Sequence, residues 1–285
     1  MVLLCAIWGL QQVAIKVAIT GISPVLQVGL RSAAAALLVF LWARWRGLPL
    51  AGHDGSLRPG LLAGALFGLE FVFIYVGLDH TDAARMVVFL YTAPCFTVLG
   101  LHWFVAGERI GWRQLAGVVL AFGGIIVAFA EGLGGHVRGD HWIGDILGVL
   151  AAIIWAATTV LVRGSALARI SAAKVLLYQL AVSAVIALPL SLLLGERGIT
   201  APTIPVLLSL AYQSVIVAFA SYLTWFWLLT RYLASRLMVF SFLTPLFGVS
   251  FGVLLLGERM SALFGLAALL VVVGIVLVNA PARRS

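Results

Sequence analysis

Ten apolar runs follow one another along this chain with hardly a water-facing stretch between them. They cover residues 2–19, 24–44, 59–78, 84–105, 112–130, 143–163, 172–194, 204–229, 236–256 and 262–279. A helix of about 20 apolar residues crosses the hydrocarbon core of a bilayer. Inside lipid the backbone must satisfy its own hydrogen bonds, which favours the α-helix. The gaps hold turn formers, as in Gly21-Ile22-Ser23-Pro24 and Gly52 to Pro59, with others at 132–139 and 195–205. None is long enough for a soluble domain. The expected fold class is therefore all-α integral membrane, with ten transmembrane helices in a single membrane domain.

Composition agrees. Only 10% of residues are charged and 63% are hydrophobic, whereas soluble domains carry roughly 25% charged residues. The formal charge of +8 would suggest nucleic acid in a soluble protein. Here the charges lie in the gaps, so they read as topology signals and headgroup contacts, with the lipid bilayer and not nucleic acid as partner. The first run starts at Met1 with no basic segment and no small-residue cleavage site, and reads as a span and not a signal peptide. Cys5 and Cys95 lie inside runs and read as buried free thiols.

With the N-terminus inside, twelve of the 18 Lys and Arg residues fall in inner loops and the tail, among them Arg44, Arg46, Arg58, Arg109, Arg163 and Lys174. Five fall outside: Lys16, Arg85, Arg138, Arg197 and Arg259. Arg31 lies within a span. Cationic excess marks the cytoplasmic face, so both termini are expected there.

The chain also repeats itself. RMVVFLYTAP at 85–94 answers RLMVFSFLTP at 236–245, and Gly107-Glu108-Arg109 answers Gly257-Glu258-Arg259. Trp8 answers Trp155, and Lys16 answers Arg163. Each half holds five spans. Five is odd, so the halves are inverted, as in secondary transporters whose substrate site lies near the midplane between repeats. Ten spans in two such halves, a Trp in the first helix of each, and an apolar run with Pro followed by Gly-Glu resemble the drug/metabolite transporter superfamily. Each half is similar to an EamA repeat, at 1–131 and 143–280, and the whole looks like amino-acid exporters of the YddG type. The resemblance implies a secondary transporter that exports small metabolites, foremost amino acids including aromatic or apolar ones, across a bacterial inner membrane. It also implies a cavity between helices 1–4 and 6–9, with helices 5 and 10 outside it. Drug or nucleotide-sugar transport on the same fold, or a channel, are the alternatives.

Several residues in the spans stand out. Glu70 lies mid-run between Leu61 and Leu78, where a carboxylate costs a few kcal/mol unless it faces protein or water. Arg31 lies at matching depth, roughly 10–12 Å below the outer surface at 1.5 Å per residue. An ion pair between them would soften both charges and could meet a zwitterion; a purely structural pair, or Arg31 reaching outward alone, are the other readings. Trp8, Tyr75, Tyr91, Trp155, Tyr178, Tyr222 and Trp225 lie within spans and could wall a cavity or simply pack helices. Gln12 and Thr159 occupy matching positions in the two first helices, as do Arg31 and Gln179 in the second, and all four are candidate cavity residues. Pro94 and Pro245 sit mid-span as hinges or static kinks. No metalloprotease, serine-nucleophile or phosphate-loop motif occurs. No enzyme activity, metal or cofactor is expected, and the oligomeric state is open.

Overall fold

The computed structural model describes residues 1–52, 54–104, 110–133, 140–231, 240 and 243–279. Helices α1 (Val2–Ile19), α2 (Pro24–Trp45) and α3 (Leu57–His80) are single spans. The fourth span breaks into α4 (Ala83–Leu90) and α5 (Ala93–Phe104). Then come α6 (Trp112–Leu133), α7 (His141–Gly164) and α8 (Ala172–Leu193), with a short 3-10 turn, Ala166–Arg169, between the last two. The eighth span is α9 (Ile204–Ala211), a π-helical stretch (Tyr212–Ser221) and α10 (Tyr222–Arg231). It is followed by α11 (Leu243–Leu256) and α12 (Ala262–Asn279). Among the described residues, eight stretches are long and apolar enough to cross a membrane, and two shorter apolar helices, Trp112–Ala128 and Leu243–Leu256, bring the number to ten. The Gly107-Glu108-Arg109 triplet, Arg138, Arg236 and residues 237–239 of the second repeat lie outside the described residues.

Local chemistry sets the helix starts. Pro24 occupies the first turn of α2 after Ser23, where the fixed φ of proline suits the helix and its missing N–H would be unpaired anyway. The next two N–H groups, of Val25 and Leu26, donate to the two carboxylate oxygens of Glu196, each at 2.9 Å. Glu258 does the same for α4, accepting from Ala83 at 2.7 Å and Ala84 at 2.9 Å. A carboxylate at a helix N-terminus satisfies unpaired donors and opposes the positive end of the dipole.

The loops after the odd-numbered spans share one face. Ser23 N donates to Gly198 O at 3.0 Å, Lys16 Nζ to Thr81 O at 2.7 Å, and His80 pairs with Asp140 at 3.5 Å. The loop after span two meets the region after span six on the opposite face, where Lys174 binds Asp54 at 2.7 Å. The chain therefore alternates faces span by span. Helix contacts follow a matching rule. α1 packs on α11 and α4/α5 on α7; α3 packs on α7, and α1 on α9 and the π-helical stretch. α2–α8, α4–α11 and α6–α12 pack on each other. Exchanging the first five spans with the last five interchanges the first four of these contacts in pairs and maps each of the last three onto itself.

The α6–α12 pair stands apart from the other spans' centre. A Cβ on Gly117 would lie 2.6 Å from Gly274 O, and one on Gly274 the same distance from Gly117 O. Small residues at such crossings let backbones approach where lipid offers no hydrophobic drive. The outward faces carry apolar side chains, Leu193 at 84% and Leu192 at 80% exposed among them, as a lipid-facing surface requires.

Candidate functional site

A cavity of about 360 Å³ lies between α1, α3, α7, α8 and α10 and the end of α4, a volume at the lower end of ordinary small-molecule sites. Each helix contributes one stripe. Phe67, Glu70, Phe71 and Ile74 recur at helical spacing on α3, and Trp155, Thr158, Thr159 and Val162 repeat the pattern on α7. The cavity reaches Met1, Val162 and Arg163 at the Asp54–Lys174 face.

Nine of the twelve residues singled out in the sequence border it: Trp8, Gln12, Glu70, Tyr91, Trp155, Thr159, Gln179, Tyr222 and Trp225. The aromatic rings are fixed edge to face. Tyr91 and Trp155 have centroids 5.5 Å apart at 89°, and Trp8 and Trp225 lie 5.8 Å apart at 77°. Trp8 Nε1 donates to Ser221 Oγ at 2.9 Å, so its polar tip is satisfied and its ring is free to wall the cavity. The hydroxyls of Thr158 and Thr159 donate back to Ile154 O and Trp155 O at 2.9 and 3.0 Å. Glu70 has no hydrogen-bond or ion-pair partner among the described residues, and Gln12 Oε1 is buried without a donor. The Glu70 carboxyl and the Gln12 carbonyl oxygen thus offer unpaired acceptors at the wall.

Arg31, Tyr75 and Tyr178 lie elsewhere. Arg31 is wholly buried behind the cavity wall, its Cζ 3.9 Å from the centre of the Phe71 ring. Its Nη2 donates to Tyr222 Oη at 3.3 Å, and its Nε and Nη1 have no partner. The ion pair expected between Arg31 and Glu70 is not formed among the described ion pairs: equal depth fixes position along the membrane normal but not around the helix, and the Phe71 ring takes the guanidinium instead. Tyr75 donates to Gln213 Oε1 at 2.5 Å, and Gln213 Nε2 donates to Ala14 O at 3.2 Å. This belt closes the cavity away from its mouth. Tyr178 meets the Ser56 hydroxyl at 3.2 Å and fills the space over Gly60. Pro94 falls in the first turn of α5, just after the break at Tyr91 and Thr92, and Pro245 in the first turn of α11.

The face beyond the belt is tied by charge. Arg85 and Asp145 form a buried pair. Thr81 Oγ1 adds a hydrogen bond to Asp145 at 2.8 Å, and Arg85 Nη2 donates to Ala128 O at 3.1 Å. Lys16 lies 3.7 Å from Asp82 and 4.0 Å from Glu258. Burial pushes the Glu258 carboxyl above its ordinary value, while the amides of Ala84 and Ala83 pull the other way. On the opposite face the Lys174 ammonium, and then Ser56, hold Asp54 below the usual carboxylate range. Lys16, Arg85 and Lys174, expected at headgroups, are thus held in pairs within the protein. Asp145 and Phe71 escaped the sequence reading. Asp145 sits two residues into a run that looks uniformly apolar, and Phe71 is one phenylalanine among 16. Among the described residues no group of three or more His, Cys, Asp or Glu could hold a metal.

Comparison with known proteins fits this geometry. The chain is 27% identical to a probable amino-acid metabolite efflux pump of Escherichia coli K12, over 96% of this chain and 91% of that one. It is 29% identical to a protein of that name from Salmonella typhimurium, with the same coverage. An uncharacterized transporter of Archaeoglobus fulgidus is 24% identical over 96% of this chain and 94% of its own. One crystal structure superposes with a TM-score of 0.69 at 21% identity, covering 99% of this chain and 96% of the other, which speaks for the fold alone. The profile of the EamA-like transporter family matches twice, at residues 1–130 and 142–280. This multi-pass membrane protein, a transporter and not an enzyme, belongs to the EamA-like transporter family.

Proposed function

We propose that the chain is a secondary transporter that exports small metabolites, amino acids with apolar or aromatic side chains foremost, across a bacterial inner membrane. Both termini would be cytoplasmic, and the cavity would then open to the cytoplasm. One observation carries the reading: a cavity open at one end, walled by aromatic rings, whose unpaired polar atoms at Glu70 and Gln12 accept hydrogen bonds. Such a wall suits a ligand with an apolar side chain and an ammonium group. Alternating access would follow from rocking of the two inverted five-span halves, 1–131 and 143–280, with Pro94 and Pro245 as pivots. The names of the relatives from E. coli and S. typhimurium support an amino-acid substrate.

An organic cation is the second reading, favoured by the same unpaired carboxylate among aromatic rings. Purified protein in liposomes, challenged with each of the labelled common amino acids with and without a pH gradient, tests the proposal. Saturable counterflow of at least one amino acid is expected. Counterflow of lipophilic cations alone would replace this reading by the second.

A further inference from the structure

Two residues of opposite charge meet the cavity wall differently. Glu70 faces the cavity, while Arg31 lies behind the adjacent Phe71, stacked on its ring at 3.9 Å. On the amino-acid reading above, we propose that Arg31 binds the substrate carboxylate and is reached only when Phe71 and Tyr222 give way. The ammonium group then decides binding, and the carboxylate decides whether the carrier proceeds to the opposite-facing state.

The state of the guanidinium supports this. Arginine stays charged in proteins and carries five N–H donors. Here one nitrogen is bonded, to the Tyr222 phenol at 3.3 Å, the Tyr75 hydroxyl lies nearby, and Nε and Nη1 are buried without a hydrogen-bond partner among the described residues. A cation at this depth is expensive unless paired, and one ring face offsets only part of that. The group is thus held short of the partner its planar fork suits best, a carboxylate. Glu70 makes no ion pair with it among the described residues, and the two side chains that touch it, Phe71 and Tyr222, are both part of the cavity wall.

Phe71 also leans on the closing belt, its ring 6.2 Å from that of Tyr75, so moving it disturbs the belt. A ligand shifts a conformational equilibrium only by binding one state better than the other. An ammonium on Glu70 makes its contact in the present state and supplies no difference in favour of the opposite-facing one. A carboxylate on Arg31 makes its contact only once the belt has moved, so it supplies the difference. A substrate lacking a carboxylate would bind and stall.

Three ligands with the same branched side chain test this: L-leucine, 3-methylbutylamine without the carboxylate, and 4-methylpentanoate without the ammonium. Binding is read from the melting temperature of the detergent-purified protein. Turnover is read from release of labelled L-leucine out of proteoliposomes when each ligand is added outside. Leucine and the amine should both raise the melting temperature. Leucine should speed release at least tenfold, whereas the amine should slow it. In Arg31→Gln, leucine should behave as the amine does in the native protein, still binding but no longer speeding release, and Arg31→Lys should restore part of the acceleration. An amine that speeds release as leucine does, or full acceleration in Arg31→Gln, would overturn the proposal. The comparison of ligands on the native protein decides the matter even if a variant does not fold. No response to any of the three ligands would instead remove the amino-acid reading, and this inference with it.

Discussion

Asp145 and Arg85 show how a single buried charge can hold a membrane protein together. Removing one partner of a buried pair strands the other, at about 3–5 kcal/mol. Asp145→Asn should therefore lower the unfolding free energy by about that amount, whereas the double change Arg85→Met and Asp145→Leu should recover most of it; denaturation in mild detergent measures both. On the other face, Asp54 has a depressed folded-state pKa, chiefly through Lys174 and next through Ser56. Its contribution to stability is present above the unfolded carboxylate range and is lost as pH falls below it. Acidification below about pH 4 should lower the melting temperature of the native protein more than that of Asp54→Asn; equal slopes would show that the tie adds nothing. At this scale the sequence spoke clearly where helical register carried the message. Trp155 and Thr159, or Trp8 and Gln12, fall on one helix face, and both pairs border the cavity. It spoke poorly on partners. Arg31 and Glu70 share a depth, but the angle at which each leaves its helix is set by packing, and the Phe71 ring intervenes.

The broken fourth span is the element whose chemistry is plainest. α4 ends at Leu90, Tyr91 and Thr92 form a turn, and Pro94 enters the first turn of α5. Thr92 Oγ1 donates to Phe89 O at 2.6 Å, and the Thr92 N–H reaches the same carbonyl at 3.1 Å. Proline at this place loses no helix hydrogen bond and prevents α4 and α5 from joining. Pro94→Ala should allow a continuous helix, slow leucine exchange several-fold and leave substrate affinity within a few-fold; an unchanged exchange rate would leave the break as a static kink. The prolines were legible because proline has one backbone meaning wherever it occurs. The π-helical stretch from Tyr212 to Ser221 was not, since its i→i+5 bonding follows from packing against α1 and α2 and leaves no mark in composition. It turns Ser221 toward Trp8 and Gln213 toward Tyr75.

Across the whole molecule, the order of apolar runs was enough to number the spans, because bilayer thickness fixes their length. Boundaries agree within a few residues for α1, α2 and α12. Which face is cytoplasmic rests on the unequal distribution of Lys and Arg. Ala51 and Thr200 lie exposed on opposite faces, and the two native cysteines are buried, so single cysteines at these places report without background. An impermeant thiol reagent applied to intact cells should label Thr200→Cys and spare Ala51→Cys; the reverse pattern would invert the orientation. Met1 borders the cavity beside Arg163, and this has a practical side. Anything joined ahead of Met1 begins in the doorway. A fluorescent protein attached there by a short link should throttle counterflow several-fold in liposomes, and a long flexible link should restore it. Where a tag is placed thus becomes a measurement of how wide the doorway must open.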